Sequence, residues 1–83
     1  MSATLWYRAR SLSGAGIALQ EVRRDTHLSQ DDAARRIGSS RPTLSRMERG
    51  EAVQSDVLFD LAAELGYEFV LVPRGSDLKV SPP

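Results

Sequence analysis

Two short segments, each beginning with a serine and ending at a glycine, constrain the fold of this chain more than any other feature. The first begins at Ser29 and ends at Gly38, and the second begins at Ser40 and ends at Gly50. Serine favours the N-cap of a helix because its hydroxyl accepts a free backbone N–H, and glycine ends a helix because it adopts left-handed backbone at little cost. The pattern predicts two short helices joined by a tight turn.

Apolar residues in both segments recur at helical spacing. They are Ala33, Ala34 and Ile37 in the first segment and Leu44 and Met47 in the second. Each set forms one narrow apolar face. The two alanines are small, so another helix can approach closely there. Two short helices with a bend of this kind are typical of a helix-turn-helix.

Similar patterns predict a helix on either side. Residues 14–26 form a first helix capped by Ser13, and Ser55 caps a fourth helix that runs to Leu65. Residues 67–72 change to the period of a strand, which Pro73 stops. The expected fold class is an all-α helical bundle plus one C-terminal β-strand. The predicted organisation is an N-terminal arm (1–13), a helical domain (14–66), a strand (67–74) and a disordered tail (75–83).

The composition excludes several classes of function. With no cysteine and one histidine, the chain has no disulfide and too few ligands for an ordinary zinc site. Ser39 and Ser40 have no neighbouring base to activate them, so we expect neither an enzyme nor a cofactor. No apolar run approaches the roughly 20 residues that span a bilayer, and the first ten residues lack the apolar core of a signal peptide. We therefore expect a soluble, cytoplasmic protein with no membrane partner.

The formal net charge is zero, but the charges are segregated along the chain. The first 50 residues carry nine arginines and five acidic residues, whereas the remaining 33 carry two basic and six acidic residues. Ordinary surface charge can segregate in this way by chance. A polarised chain can also bind phosphates with its basic half and a protein with its acidic half.

The second helix of a helix-turn-helix lies in the major groove of double-stranded DNA, with its N-terminal residues toward the bases. Arg41 and Arg46 can each donate two hydrogen bonds to a guanine, and the ring of Pro42 can contact a thymine methyl. The predicted base contacts are Ser40, Arg41, Pro42, Ser45 and Arg46. The predicted phosphate contacts are Ser29, Gln30, Thr43 and Arg49.

The run from Leu28 to Gly50 resembles the Xre/Cro/phage-repressor helix-turn-helix family. The matching features are Ser29-Gln30, Ala34, Gly38, Ser40, Thr43-Leu44-Ser45 and Glu48 before Gly50. The resemblance implies a lambda-repressor-like bundle over about residues 14–66, and an ion pair between Arg23 and Glu48 that fixes helix packing. The chain departs from the family at Ala33, usually leucine, at Ser39, usually aliphatic, and at His27, often glycine.

The stretch from Gly66 to Arg74 resembles a narrower group within this family, the HipB-like antitoxins. That resemblance implies a homodimer formed through the C-terminal strand, repression of its own operon and binding to a HipA-like kinase toxin. Two further functions remain open. One is a stand-alone transcriptional regulator or phage repressor without a toxin, and the other is a protein-interaction module that does not bind DNA.

The predicted strand points to the same dimer on physical grounds. An unpaired strand is unstable in water because its backbone N–H and C=O groups lack partners. One face carries Tyr67, Phe69 and Leu71, and the other carries Val70 and Val72. The partner is either the same strand of a second subunit or residues 5–8 of the same chain. Pairing between subunits would also place two recognition helices about 34 Å apart, one turn of a palindromic operator.

Overall fold

Four helices form the regular secondary structure of residues 6–83, the part of the chain that this computed structural model describes. They are α1 (Leu12–Asp25), α2 (Gln30–Arg36), α3 (Arg41–Glu48) and α4 (Ser55–Glu64). The predicted helical bundle with its helix-turn-helix is therefore confirmed. Of the predicted N-terminal arm, residues 1–5 lie outside the described residues.

Two predicted helix caps were wrong by one or two residues. The prediction placed the first cap at Ser13, but the side chain of Ser11 accepts the N–H of Gly14 at 2.9 Å, so α1 begins earlier. The cap of α4 is Gln54 rather than Ser55, and no side chain caps that helix end. Ser11 and Ser13 both lie near the start of α1, so residue type alone does not select the cap.

A residue that follows each of α1, α2 and α3 has a backbone conformation that L-residues rarely adopt. Gly38, just after α2, has a φ of +69°, and Gly50, just after α3, has a φ of +85°. His27, between α1 and α2, also has a positive φ, of +59°. Glycine adopts this conformation at little cost. The histidine must tolerate backbone strain that a glycine would not have.

The core lies between the four helices, and each helix contributes one buried face to it. The most completely buried large side chains are Leu44 and Met47 of α3 and Leu61 of α4. The other buried apolar residues are Ala15, Leu19, Val22, Ala33, Ala34, Leu58 and Ala62. Because α3 contributes its apolar face to this core, its polar face must point to solvent.

Gly16 allows α1 and α3 to approach closely. A Cβ atom built on Gly16 would lie 2.2 Å from the backbone oxygen of Met47. That distance is far below a normal contact, so only glycine fits there without moving one helix. The position of α3 on the body of the protein therefore depends on this residue.

The predicted C-terminal strand was wrong for the single chain, because residues 67–72 form no strand there. The N–H of Tyr67 donates to the backbone oxygen of Ala62 at 2.7 Å, and residues 68–72 make no backbone hydrogen bond within the described part of the chain. A strand requires a neighbouring strand as partner. Of the intrachain partner considered above, Leu5 lies outside the described residues, and Trp6–Arg8 make no backbone hydrogen bond with this segment.

The segment that follows α4 exposes much of its apolar surface. The rings of Phe69 and Phe59 meet edge to face with centroids 4.8 Å apart, yet both side chains remain largely exposed. Val70 is 67% exposed and Leu71 is fully exposed. Residues 75–83 have no regular secondary structure, and their disorder stays a prediction. None of the helices that the structure describes is both long enough and apolar enough to cross a membrane.

Candidate nucleic-acid interface

Two serine caps fix where α2 and α3 begin. The side chain of Ser29 accepts the N–H of Asp32 at 3.0 Å, and that of Ser40 accepts the N–H of Thr43 at 3.3 Å. Asp31 and Asp32 in the first turn of α2 are exposed, as are Arg41 and Pro42 in the first turn of α3. Pro42 lies in the first turn of α3, where its missing N–H costs nothing.

One face of α3 carries all the residues predicted to contact bases. Ser40, Arg41, Pro42 and Arg46 are exposed, and Ser45 is half-buried. The predicted phosphate contacts lie on α3 (Thr43), just after it (Arg49), and at the start of α2 (Ser29 and Gln30). The structure thus brings the predicted residues together on one accessible surface, which we call the reading face. Their contacts with DNA stay a prediction.

Hydrogen bonds along α3 hold two arginines on the reading face. Arg46 donates from Nη2 to the hydroxyl of Thr43 at 3.2 Å. Arg49 donates from Nη1 to the hydroxyl of Ser45 at 2.6 Å and from Nε to a carboxylate oxygen of Glu51 at 2.8 Å. The guanidinium groups therefore lie on the helix surface and are not folded into the body of the protein.

A buried ion pair joins α1 to the end of α3. Arg23 donates from Nε to Oε2 of Glu48 at 2.5 Å and from Nη2 to Oε1 at 2.9 Å. The third nitrogen, Nη1, donates to the backbone oxygen of Leu28 at 2.6 Å. The side chains of Arg23 and Glu48 are only 9% and 1% exposed. Since both charges are out of water and fully hydrogen-bonded, removing either one would leave a buried charge without its partner.

Opposing effects act on the pKa of the Glu48 carboxyl. Burial raises the pKa, but the hydrogen bonds from Arg23 and Gln30 and the positive charge of Arg23 outweigh burial and lower it. Glu48 is therefore a carboxylate at neutral pH, and it accepts every hydrogen bond in which its side chain takes part.

The helix-turn-helix family model matches residues 19–72, about two thirds of the chain. The chain belongs to the Xre/lambda-repressor-like helix-turn-helix family. This match confirms the family predicted from the sequence. Membership of the family indicates that the chain is a DNA-binding transcription regulator. Among curated proteins, none matches the sequence.

In this helix-turn-helix protein the side chain of Gln30 has partners at both ends. Its Nε2 donates to Oε1 of Glu48 at 2.9 Å, and its Oε1 accepts a hydrogen bond from Nε of Arg41 at 3.4 Å. The sequence predicted a phosphate contact for Gln30 but gave no sign of either intramolecular bond. Both bonds join residues that are far apart in the sequence, so only the packing of the three helices could reveal them.

Two other residues of this helix-turn-helix protein support the site and were missed in the sequence. Gln20 donates from Nε2 to Oε1 of Glu48 at 3.4 Å, which gives the carboxylate a further donor from α1. Gly16 sets the distance between α1 and α3. The signal in the sequence that could have revealed this close packing is a glycine inside the predicted first helix.

Within residues 6–83, no group of three or more histidine, cysteine, aspartate or glutamate side chains could hold a metal ion. The acidic pair at the start of α2, Asp31 and Asp32, is used locally: Asp32 forms an exposed ion pair with Arg35. The chemistry that the reading face offers is therefore hydrogen bonding and positive charge.

Proposed function

We propose that this protein is a sequence-specific transcriptional repressor that binds a palindromic operator as a homodimer. The observation that carries the proposal is the reading face of α3, where the side chains of Arg41 and Arg46 are exposed beside three hydroxyl residues. Arginine pairs bidentately with guanine in the major groove, and hydroxyl groups contact bases or phosphates. Had the arginines been buried or covered by the rest of the chain, this function would have no physical basis.

Two arginine variants of the same helix test the proposal. The protein is titrated against its own promoter fragment and against unrelated DNA by fluorescence anisotropy at several salt concentrations. We expect binding to the promoter to weaken steeply with salt, with a slope in log K of about −0.9 per phosphate neutralised. Arg41→Ala should relax the preference for the promoter, whereas Arg49→Ala should weaken binding to both DNAs by similar factors.

Because both variants remove one positive charge, the comparison separates base reading from electrostatic attraction. An equal loss on both DNAs for Arg41→Ala would reject its role in base reading. Absence of salt-dependent binding by the unmodified protein would reject DNA recognition and favour a protein-interaction module on the same fold.

The homodimer is supported by the segment of residues 67–72. Within residues 6–83, residues 68–72 make no backbone hydrogen bond, and Val70 and Leu71 are exposed apolar side chains. In an extended strand, successive N–H groups point to opposite edges. Because the N–H of Tyr67 points to Ala62, that of Val70 would lie on the opposite edge and could pair with a second copy, whereas that of Leu71 would not.

Proline substitution tests this dimer because it removes one backbone donor. Val70→Pro should yield monomers in sedimentation analysis, while Leu71→Pro, its matched control, should remain a dimer. If Val70→Pro dimerises as tightly as the unmodified protein, the strand-pairing model is wrong.

We further propose that the protein is the antitoxin of a HipBA-like toxin–antitoxin system. The resemblance of the stretch from Gly66 to Arg74 and the excess of acidic residues after Glu48 support a protein partner away from the reading face. Coexpression with a HipA-type kinase encoded beside this gene should yield a complex that survives gel filtration and still binds the promoter. If promoter binding is intact but the kinase does not copurify, the protein is a stand-alone regulator.

A further inference from the structure

We propose that Glu51 limits the affinity of this protein for DNA, because its carboxylate competes with the DNA phosphates for the guanidinium group of Arg49. This inference rests on the proposed function, in which Arg49 contacts a phosphate. It assigns a role in DNA binding to an acidic residue, whereas the interface that the sequence predicts contains none.

The backbone of Glu51 is held by the turn that ends α3. The N–H of Gly50 donates to the backbone oxygen of Met47 at 3.0 Å. The N–H of Glu51 donates to the backbone oxygen of Arg46, also at 3.0 Å. With the positive φ of Gly50, these two bonds form a Schellman motif, a common C-terminal cap of helices. The cap fixes where the side chain of Glu51 begins, close to that of Arg49.

The carboxylate of Glu51 lies at the edge of the reading face, because Arg49 binds both Glu51 and Ser45. Arg49 donates from Nη1 to the hydroxyl of Ser45 at 2.6 Å and from Nε to a carboxylate oxygen of Glu51 at 2.8 Å. Ser45 belongs to the reading face, so the guanidinium group that binds it lies there too. The side chains of Arg49 and Glu51 are 57% and 50% exposed, so a phosphate can reach both.

Folding stability does not account for an acidic residue at this position. The C-terminus of a helix carries partial negative charge, which disfavours a nearby carboxylate. An ion pair between two exposed side chains contributes little to stability in water. The pair has a larger consequence for binding, because it engages the positive charge through which Arg49 would attract a phosphate.

A phosphate that binds Arg49 must therefore compete with Glu51. Phosphate and carboxylate oxygens both accept strong hydrogen bonds from a guanidinium group. If the phosphate displaces the carboxylate, the ion pair is lost, and if the carboxylate stays, two negative charges lie side by side. A pair of zero net charge also neutralises less of the charge on DNA, so fewer counterions are released. Glu51 should weaken binding to every DNA alike, since phosphates carry no sequence information.

The chain offers a matched control for Glu51→Gln. Glu64 also forms an ion pair at the surface, with Arg36 at 3.5 Å, but neither residue belongs to the reading face. Glu51→Gln and Glu64→Gln each remove one negative charge and keep the size of the side chain. Only the first variant releases an arginine of the reading face. Thermal unfolding of both variants shows whether each still folds.

The test measures affinity for the promoter fragment and for unrelated DNA by fluorescence anisotropy at several salt concentrations. We expect Glu51→Gln to bind both DNAs about 2- to 5-fold more tightly than the unmodified protein, with an unchanged ratio between the two affinities. The slope of log K against log salt should become steeper by up to about 0.9, the value for one phosphate neutralised. Glu64→Gln should have a smaller effect, because its charge is not beside a phosphate contact and salt screens more distant charges.

A double variant shows whether the effect passes through Arg49. When Arg49→Ala is already present, Glu51 has no arginine of the reading face to hold. Glu51→Gln should then raise affinity by a smaller factor than it does in the unmodified protein. By the same cycle, Arg49→Ala should cost more affinity in the Glu51→Gln background than alone.

Four results would overturn the inference. Weaker binding of Glu51→Gln to both DNAs would show that the carboxylate positions Arg49 for the phosphate, and unchanged binding would show that the pair does not limit affinity. Equal gains for Glu51→Gln and Glu64→Gln would show an effect of net charge alone. The same gain with and without Arg49 would show direct repulsion between Glu51 and DNA. In each case the unmodified protein still binds its promoter, so failure of this inference is distinct from failure of the proposed function.

Discussion

Gly16 lies inside α1, where an ordinary exposed glycine would be a weak point. Replacing such a glycine with alanine normally stabilises a helix by about 1 kcal/mol. At this position we expect the opposite sign, because the new Cβ atom would lie 2.2 Å from the backbone oxygen of Met47 and 3.1 Å from its carbonyl carbon. Close carbon–oxygen contacts are about 3.3 Å, so α1 and α3 would have to separate by about 1 Å.

The loss of stability expected for Gly16→Ala depends on the atom that the new Cβ would meet, the backbone oxygen of Met47. Overpacking a core costs about 1–3 kcal/mol, and the upper end applies here because a backbone oxygen cannot rotate aside as a flexible side chain can. After subtracting the helix-propensity gain of about 1 kcal/mol, we expect Gly16→Ala to lower the free energy of unfolding by about 2 kcal/mol. For a domain of this size, that loss corresponds to a decrease in Tm of about 8–16 °C.

Gly14→Ala is the matched control, two residues away on the same helix. A Cβ atom there would lie 3.3 Å from the hydroxyl of Ser11 and no closer than 3.7 Å to any backbone atom outside the helix. We expect this variant to be as stable as the unmodified protein or slightly more stable. Thermal and urea unfolding monitored by circular dichroism measure both variants. If Gly16→Ala is as stable as Gly14→Ala, the close approach of α1 to α3 is not what holds α3 in place.

Three further predictions follow from the fold. The hydrogen bonds from Arg23 lower the pKa of Glu48 in the folded state. The contribution of Glu48 to the free energy of unfolding should therefore be complete above the ordinary glutamate pKa and disappear as the pH falls through the lowered value. Urea unfolding at a series of pH values should show this decrease in stability for the unmodified protein and not for Glu48→Gln. His27→Gly should raise Tm, because it relieves a left-handed backbone that costs about 1–2 kcal/mol, less the entropy of glycine in the unfolded chain; an unchanged or lower Tm would contradict this account. Ser11→Ala should lower the free energy of unfolding by about 1 kcal/mol because it removes the cap of α1, and Ser13→Ala should lower it by less. A larger loss for Ser13→Ala would show that Ser13 is the cap, as the sequence predicted.

The helix-turn-helix could be predicted from residue types and their spacing alone. Ser29 and Ser40 are caps whose hydroxyls bind N–H groups three residues further along, and Gly38 needs left-handed backbone where α2 ends. These are local interactions, and local interactions can be recognised from residue types at fixed spacing. The polar face of α3 followed from the same pattern, because its apolar residues had to face the core.

Contacts between residues far apart in the chain could be identified only in the folded protein. The orientation of Gln30 between Glu48 and Arg41 and the fit of Gly16 against Met47 depend on which atoms lie side by side after folding. The same is true of residues 67–72, which pair with no strand among residues 6–83. The period of residues 67–72 indicated a strand, but a periodic pattern cannot supply the backbone partner that a strand needs. Local patterns fix where a helix begins and which face it buries. Distances between helices are set by the packing of side chains that are far apart in the sequence, so no short stretch of sequence reveals them.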